Sequence, residues 1–212
     1  MFDSIDSVLI LAPHPDDAEF GLGGTITKLI EDKKTIYIAL FSTCEISTPE
    51  GFEKGVIMEE FLQSCNFLGI PRENIFCYNF EVRHFPKFRQ EILEELVLLK
   101  KSIAPDLIFI PSSSDMHQDH ATIYMEAQRC FKHSNLLGYE MPWNNFEFKS
   151  LMYVVLQKSH LEKKIEALRI YKSQAHRPYS EEDFVLSLSK IRGIQVNAEN
   201  AESFEIIRYI QK

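Results

Sequence analysis

Two short stretches hold residues that could do chemistry together. The first, LAPHPDDAEFGLGGT (residues 11–25), crowds His14, Asp16, Asp17 and Glu19 directly after an apolar run. The second, DMHQDH (residues 115–120), sets Asp115, His117, Asp119 and His120 just after another apolar run, DLIFIP. Polar groups packed this densely at a strand end cost folding free energy unless something binds them. Imidazole nitrogen and carboxylate oxygen both suit zinc. His14 and Asp17 lie three positions apart across a strand-to-helix turn, so both side chains can enter one cavity, and His120 is the candidate third ligand. Two histidines and one carboxylate leave coordination positions open for water and substrate, whereas a structural site closes them, typically with cysteine. The same donor face also suits Fe(II).

The spare polar residues complete a catalytic set. Asp16 stands beside a ligand without being needed as one, the position of a general base. His117, three before His120, is the candidate donor to a developing oxyanion or to a leaving group. Asp119 is expected to hold His117 in its tautomer, with Asp115 in support. A single His-x-x-Asp would read as no more than a capped helix start, where the dipole favours acidic residues. Two such clusters, each ending a predicted buried strand, favour a catalytic metal site. The glycines of GLGGTI do not make a dinucleotide fingerprint, because Ile26 stands where Gly or Ala is required and no acidic residue ends ALFST. Gly23 and Gly24 read as packing positions for the first helix. Of the other histidines, His133 and His160 read as solvated, and His84 and His176, in arginine-containing loops, are weaker candidates to face a substrate.

These residues need elements to hold them. Apolar runs of strand length recur at SVLILA, TIYIALFS, NIFCYNF, DLIFIPS, LLGYEM and LMYVVLQ. Between the earlier ones, GLGGTITKLIED, FEKGVIMEEFLQSCNFLG and FRQEILEELVLLKKSI carry helical periodicity. HLEKKIEALRIYKSQ and SEEDFVLSLSKIRG read as later helices and SFEIIRYI as a late strand. Continuous apolar strands alternating with amphipathic helices predict an α/β, Rossmann-like three-layer sandwich with a mostly parallel central sheet. Ligands of such sheets sit at the carboxyl ends of the strands, where both polar clusters fall. The 212 residues, 45% hydrophobic and without an evident linker, suit one domain over 1–212. A net charge of -8, with no basic stripe, argues against nucleic acid as a partner. The start, MFDSIDSVLILAP, lacks a basic n-region, so neither a signal peptide nor membrane insertion is expected. Cys44, Cys65, Cys77 and Cys130 form no CxxC pair and read as reduced thiols of a cytoplasmic protein.

With both clusters in view, the chain resembles the PIG-L/LmbE-like family of zinc-dependent N-deacetylases. PHPDDAE (13–19) resembles the first signature of that family and HQDH (117–120) the second. APDLIFIPSSSDMHQDH, LEKKIEALRIYKSQ and RGIQVNAENAESF extend the likeness over nearly the whole chain. The resemblance implies zinc on His14, Asp17 and His120, Asp16 as base, and His117 as acid or oxyanion stabiliser oriented by Asp119. It also implies a small-molecule substrate, an N-acetylated sugar or sugar conjugate, and a homo-oligomer, trimer or hexamer. The alternative is a non-catalytic sugar- or nucleotide-binding module with a vestigial metal site. One departure stands out. Many members carry Arg-x-x-Glu after the second strand, the arginine contacting substrate, whereas GFEKGVIMEEF has none. Lys54, Arg83 and Arg89 are the candidates to take its place. Trp143, the single tryptophan, is the candidate to stack on a sugar ring.

Overall fold

The computed structural model describes residues 4–210, so Met1, Phe2 and Asp3 of the amino-terminal stretch, and the last two residues, lie outside it. Its strands are β1 (Ser7–Ala12), β2 (Thr35–Leu40), β3 (Ile75–Cys77), β4 (Leu107–Pro111), β5 (Asn135–Tyr139), β6 (Met152–Leu156) and β7 (Asn200–Arg208). Its α-helices are α1 (Asp17–Glu31), α2 (Val56–Leu68), α3 (Arg89–Ile103), α4 (Gln118–Cys130), α5 (Lys158–Arg169) and α6 (Glu182–Ile194). The strands form one sheet in the order β3-β2-β1-β4-β5-β7-β6. The first five are mutually parallel, and β7 runs antiparallel to both of its neighbours.

Side-chain alternation along each strand feeds two cores. Val8, Ile10, Ile36, Ile38, Leu107 and Phe109 pack under α1, α2 and α5 on one face. Leu9, Leu11, Ala39, Ile108 and Ile110 pack under α3 and α4 on the other. This is the expected three-layer α/β arrangement with a mostly parallel sheet. Several elements are shorter than their sequence patterns; HLEKKIEALRIYKSQ, for one, is α-helical only to Arg169, and its Lys172–Gln174 form a 3-10 turn. NIFCYNF yields only the three-residue edge strand β3; past it Tyr78 and Phe80 keep single N–H bonds to the Leu40 and Phe41 carbonyls, and their rings stack on Phe41 with centroids 5.3 and 6.5 Å away. The helix expected from Phe52 begins at Val56, because Gly55 ahead of it takes φ 90, a left-handed conformation suited to glycine.

Gly21 and Gly24 let α1 sit close to its neighbours. A Cβ on Gly21 would meet the Tyr139 ring at 2.6 Å, and one on Gly24 would meet Leu156 at 2.5 Å. The packing role expected of Gly23 and Gly24 thus extends to β6 and α5, where Lys164 lies 2.9 Å from a Cβ on Gly23. His160, expected to be solvated, is 3% exposed. It caps the start of α5 by accepting from the Gln157 N–H at 3.2 Å, and its other ring nitrogen meets Glu31 at 2.9 Å. A helix start facing a neighbouring helix buries its capping residue, which periodicity alone does not reveal. The four cysteines are free.

Candidate metal and active site

β1 and β4 are neighbours in the sheet, and the chain leaves β1 toward β2 on one side and β4 toward β5 on the other. Such a reversal opens a crevice at the carboxyl ends of the two strands. His14 lies just past β1, and His117 and His120 just past β4. His14 Nδ1 is 3.2 Å from His120 Nε2, His120 Nε2 is 3.2 Å from Asp17 Oδ2, and His14 Nδ1 is 3.4 Å from the same oxygen. Metal–ligand bonds of about 2.0–2.1 Å in a tetrahedron separate the ligand atoms by roughly 3.3 Å, so the spacing fits a zinc-sized cation.

The remaining ring nitrogens explain why these atoms face one another. His14 Nε2 lies 2.9 Å from Asp119 Oδ2, and His120 Nδ1 lies 2.7 Å from Asp115 Oδ2. A carboxylate on one ring nitrogen draws the proton there and leaves the other as a lone pair. Two lone pairs and a carboxylate oxygen therefore converge on one point, which calls for a cation. Without one, a proton must serve. Burial opposes charge on His120, but the charge of Asp17 and the hydrogen bond to Asp115 raise it to about 10. Asp17 is held far below the usual carboxylate range: burial opposes this, and the charge and hydrogen bond of His120 prevail.

His117 is the N-cap of α4. Its Nδ1 accepts from the Asp119 backbone N–H at 3.2 Å, so the ring proton belongs on Nε2. Burial, followed by the charges of His120 and His14, pushes its pKa down to about 4 and keeps the ring neutral near pH 7. The three imidazoles offer nitrogens within 4.8 Å of one another. The Nδ1 acceptor role sets His117 apart from His14 and His120, each of which has one ring nitrogen on a carboxylate, and leaves its Nε2–H free to donate. The expected link between Asp119 and His117 thus runs through the Asp119 backbone. Its carboxylate instead holds His14 and accepts from the backbone N–H groups of Arg83 and Phe85, at 2.5 and 3.1 Å.

Asp16 precedes α1 with φ 80, a left-handed conformation uncommon for a residue with a Cβ. Its carboxyl makes no cap hydrogen bond and lines the cavity. Burial, then the charge of Asp17, raises its pKa well above the usual range, and Arg177 pulls it back from 3.6 Å. The cavity, about 310 Å³, is lined by His14, Asp16, Asp17, His117 and His120 together with Cys44, Arg83, Trp143, Gln174, Arg177 and Tyr179. A hollow of about 400 Å³ at the opposite end of the strands, beside Asp106, His133 and Asn135, holds no comparable ligating cluster among the described residues.

Of the candidate substrate residues, Arg83 and Trp143 line the cavity; Lys54 and Arg89 do not. Lys54 is exposed ahead of α2. Arg89 lies on α3, with its guanidinium 2.6 Å from the buried Glu126. Trp143 is stacked face to face on Tyr179 at 3.8 Å, so that ring face is already occupied. Its edge neighbours are Phe20 and Phe184. His176 is exposed and His84 pairs with Glu81; neither lines the cavity. The sequence reading missed Tyr171, Gln174, Arg177 and Tyr179. All belong to one stretch, YKSQAHRPY (171–179), whose crowded aromatic and polar residues were the available signal.

Residues 9–131, more than half of the chain and including both clusters, match the family described as PIG-L: GlcNAc-PI de-N-acetylase. The chain belongs to the PIG-L family. Its curated relatives include diacetylchitobiose deacetylase of Thermococcus kodakarensis, 27% identical over 147 residues, which cover 66% of this chain and 50% of that protein. The chain therefore spans about half the length of that relative. Among solved structures, N,N'-diacetylchitobiose deacetylase from Pyrococcus horikoshii superposes with a TM-score of 0.81 at 22% identity, covering 97% of this chain and 85% of that one. GalB, the 4-carboxy-2-hydroxymuconate hydratase of Pseudomonas putida KT2440, also superposes at 0.81, at 16% identity, covering 98% of each chain. The shared fold thus carries more than one chemistry, and function has to be argued from the site.

Proposed function

We propose that the chain hydrolyses the N-acyl bond of an acetylated amino-sugar derivative, with a divalent cation held by His14, Asp17 and His120. Zinc is the cation the donor set suits best, with iron(II) the alternative. The observation that carries this reading is the convergence of His14 Nδ1, His120 Nε2 and Asp17 Oδ2 at 3.2–3.4 Å, with the other ring nitrogens on carboxylates. A bound cation supplies Lewis acidity, polarising the acyl carbonyl and acidifying water beside it. Asp16 takes a proton from the attacking water as the new C–O bond forms. The neutral His117 donates its Nε2–H to the carbonyl oxygen as negative charge develops there. The proton on Asp16 then passes to the amine nitrogen as the C–N bond breaks, which releases acetate and the free amine. Arg83 and Arg177 flank the rest of the substrate, beside the wall formed by Trp143 and Tyr179.

The names of the relatives support an N-acetylated sugar as the substrate class. A complete set of ligands, base and donor speaks against a vestigial binding module. The test is acetate release from N-acetylglucosamine, N,N'-diacetylchitobiose and N-acetylated sugar nucleotides by zinc-loaded protein, with metal content measured in parallel. Release from at least one is expected. Tight sugar binding with no release from any would favour the binding module. Asp16→Asn should cut turnover by about a hundred- to ten-thousandfold with metal retained.

A further inference from the structure

Asp16 holds an unusual backbone conformation, and the contact that holds it comes from far along the chain. Its N–H donates to the Tyr171 hydroxyl at 3.2 Å, across 155 positions of sequence. That hydroxyl donates in turn to Glu19 Oε1 at 2.8 Å, and the same oxygen accepts from Ser64 Oγ at 2.6 Å. Tyr171 is 3% exposed, and Glu19 and Ser64 are fully buried. Each bond defines the next. The Glu19 carboxyl accepts the phenolic O–H, so the phenolic oxygen presents a lone pair to the Asp16 N–H. With φ at 80, Asp16 sits in a region that a residue with a Cβ keeps only where the surroundings fix it.

We propose that Tyr171 is a positioning residue for the reaction: its hydroxyl, set by Glu19 and Ser64, locks the left-handed backbone of Asp16 and thereby aims the carboxyl of the base. This rests on the reading of Asp16 as base. Because the hydroxyl meets the Asp16 N–H and not the reacting atoms, its loss should slow the chemical step and leave substrate binding alone. Tyr171→Phe keeps the ring and its packing in the core and removes only the hydroxyl.

The experiment measures kcat and KM for acetate release from N,N'-diacetylchitobiose, for Y171F in the wild-type and D16N backgrounds, with zinc content and melting temperature measured alongside. In the wild-type background kcat is expected to fall by about ten- to a hundredfold, the cost of misplacing a reacting group by an ångström or less. KM should stay within about twofold, and zinc content should be unchanged. In the D16N background Y171F should cause no further loss, since a residue acting through the base has nothing left to act on. Wild-type kcat in Y171F, or an equal fold-loss in both backgrounds, would overturn the positioning role while leaving the base assignment standing. A fully active D16N would remove the base assignment itself, and the positioning role with it.

Discussion

At the scale of single residues, the site works by dividing labour among like groups according to what each one touches. Asp16 and Asp17 are adjacent, yet their carboxyls are driven in opposite directions. Asp17 is surrounded by imidazoles and held ionised; Asp16 is buried against a like charge and raised. The raised carboxyl can take a proton, which suits the proposed base, and the depressed one stays ionised, which suits the proposed ligand. The pH dependence follows. A base works only when ionised, so turnover is lost as pH falls through the raised pKa of Asp16. Arg177 pulls that value down, so R177M should shift the acid limb of the kcat/KM profile to higher pH; an unmoved limb, or one shifted lower, would contradict the assignment. Replacing His117 with Ala removes a neutral donor and should cost roughly a hundred- to a thousandfold in kcat with metal content unchanged.

At the scale of elements, the helix that carries Asp17 is braced from behind. Glu202 on β7 accepts from the backbone N–H groups of Gly24 and Thr25, at 3.1 and 2.7 Å, and from the Thr25 hydroxyl at 2.6 Å. Lys164 on α5 completes the knot with one bond to Glu202 at 2.7 Å and another to the Phe20 carbonyl at 2.6 Å. Lys164 and Glu202 are 4% and 6% exposed, so removing one charge strands the other. Lys164→Met should therefore destabilise the fold by about 3–5 kcal/mol, read as a lower midpoint in urea unfolding. A loss under about 1 kcal/mol would mean that the carboxyl is adequately satisfied by the backbone and Thr25. At the other end of the strands, Asp106 ties the starts of β1 and β4 together through the N–H groups of Asp6 and Ser7. The helix and strand types were legible from periodicity because each is amphipathic or continuously apolar. Their ends were less so: the aromatics after β3 are drawn onto Phe41, and the buried cap at His160 depends on a partner across the fold.

At the scale of the whole molecule, the sheet order decides that the site exists. β1 and β4 are about a hundred residues apart in sequence but adjacent in space, and the reversal between them brings His14 and His120 within 3.2 Å. A cation bound there would hold the β1–α1 and β4–α4 turns together and would have no counterpart in the unfolded chain. At a hundredfold excess over its Kd, such a ligand adds about 2.7 kcal/mol. For a chain of this size, that raises the melting temperature by roughly 5–10 °C. Zinc should therefore produce a shift of this order in metal-stripped protein, and a chelator should reverse it. H120A should abolish the shift, and a zinc shift that survived in H120A would locate the cation elsewhere. Among the described residues, no helix is long and apolar enough to cross a membrane.

The sequence by itself determined the ingredients. The alternation of apolar strands and amphipathic helices dictated a doubly covered parallel sheet, and the donor chemistry of two strand-end clusters pointed to a candidate metal site. Local spacing encodes such features because period and side-chain type act over a few residues. What only the tertiary structure decided are the long-range pairings. Asp119 turned out to serve His14 with its carboxylate and His117 with its backbone. Arg89 was claimed by Glu126, Trp143 had a ring face covered by Tyr179, and Tyr171 reached back to Asp16 from the far end of the chain. A side chain's partner depends on which elements meet and at what register, and no local pattern carries that information.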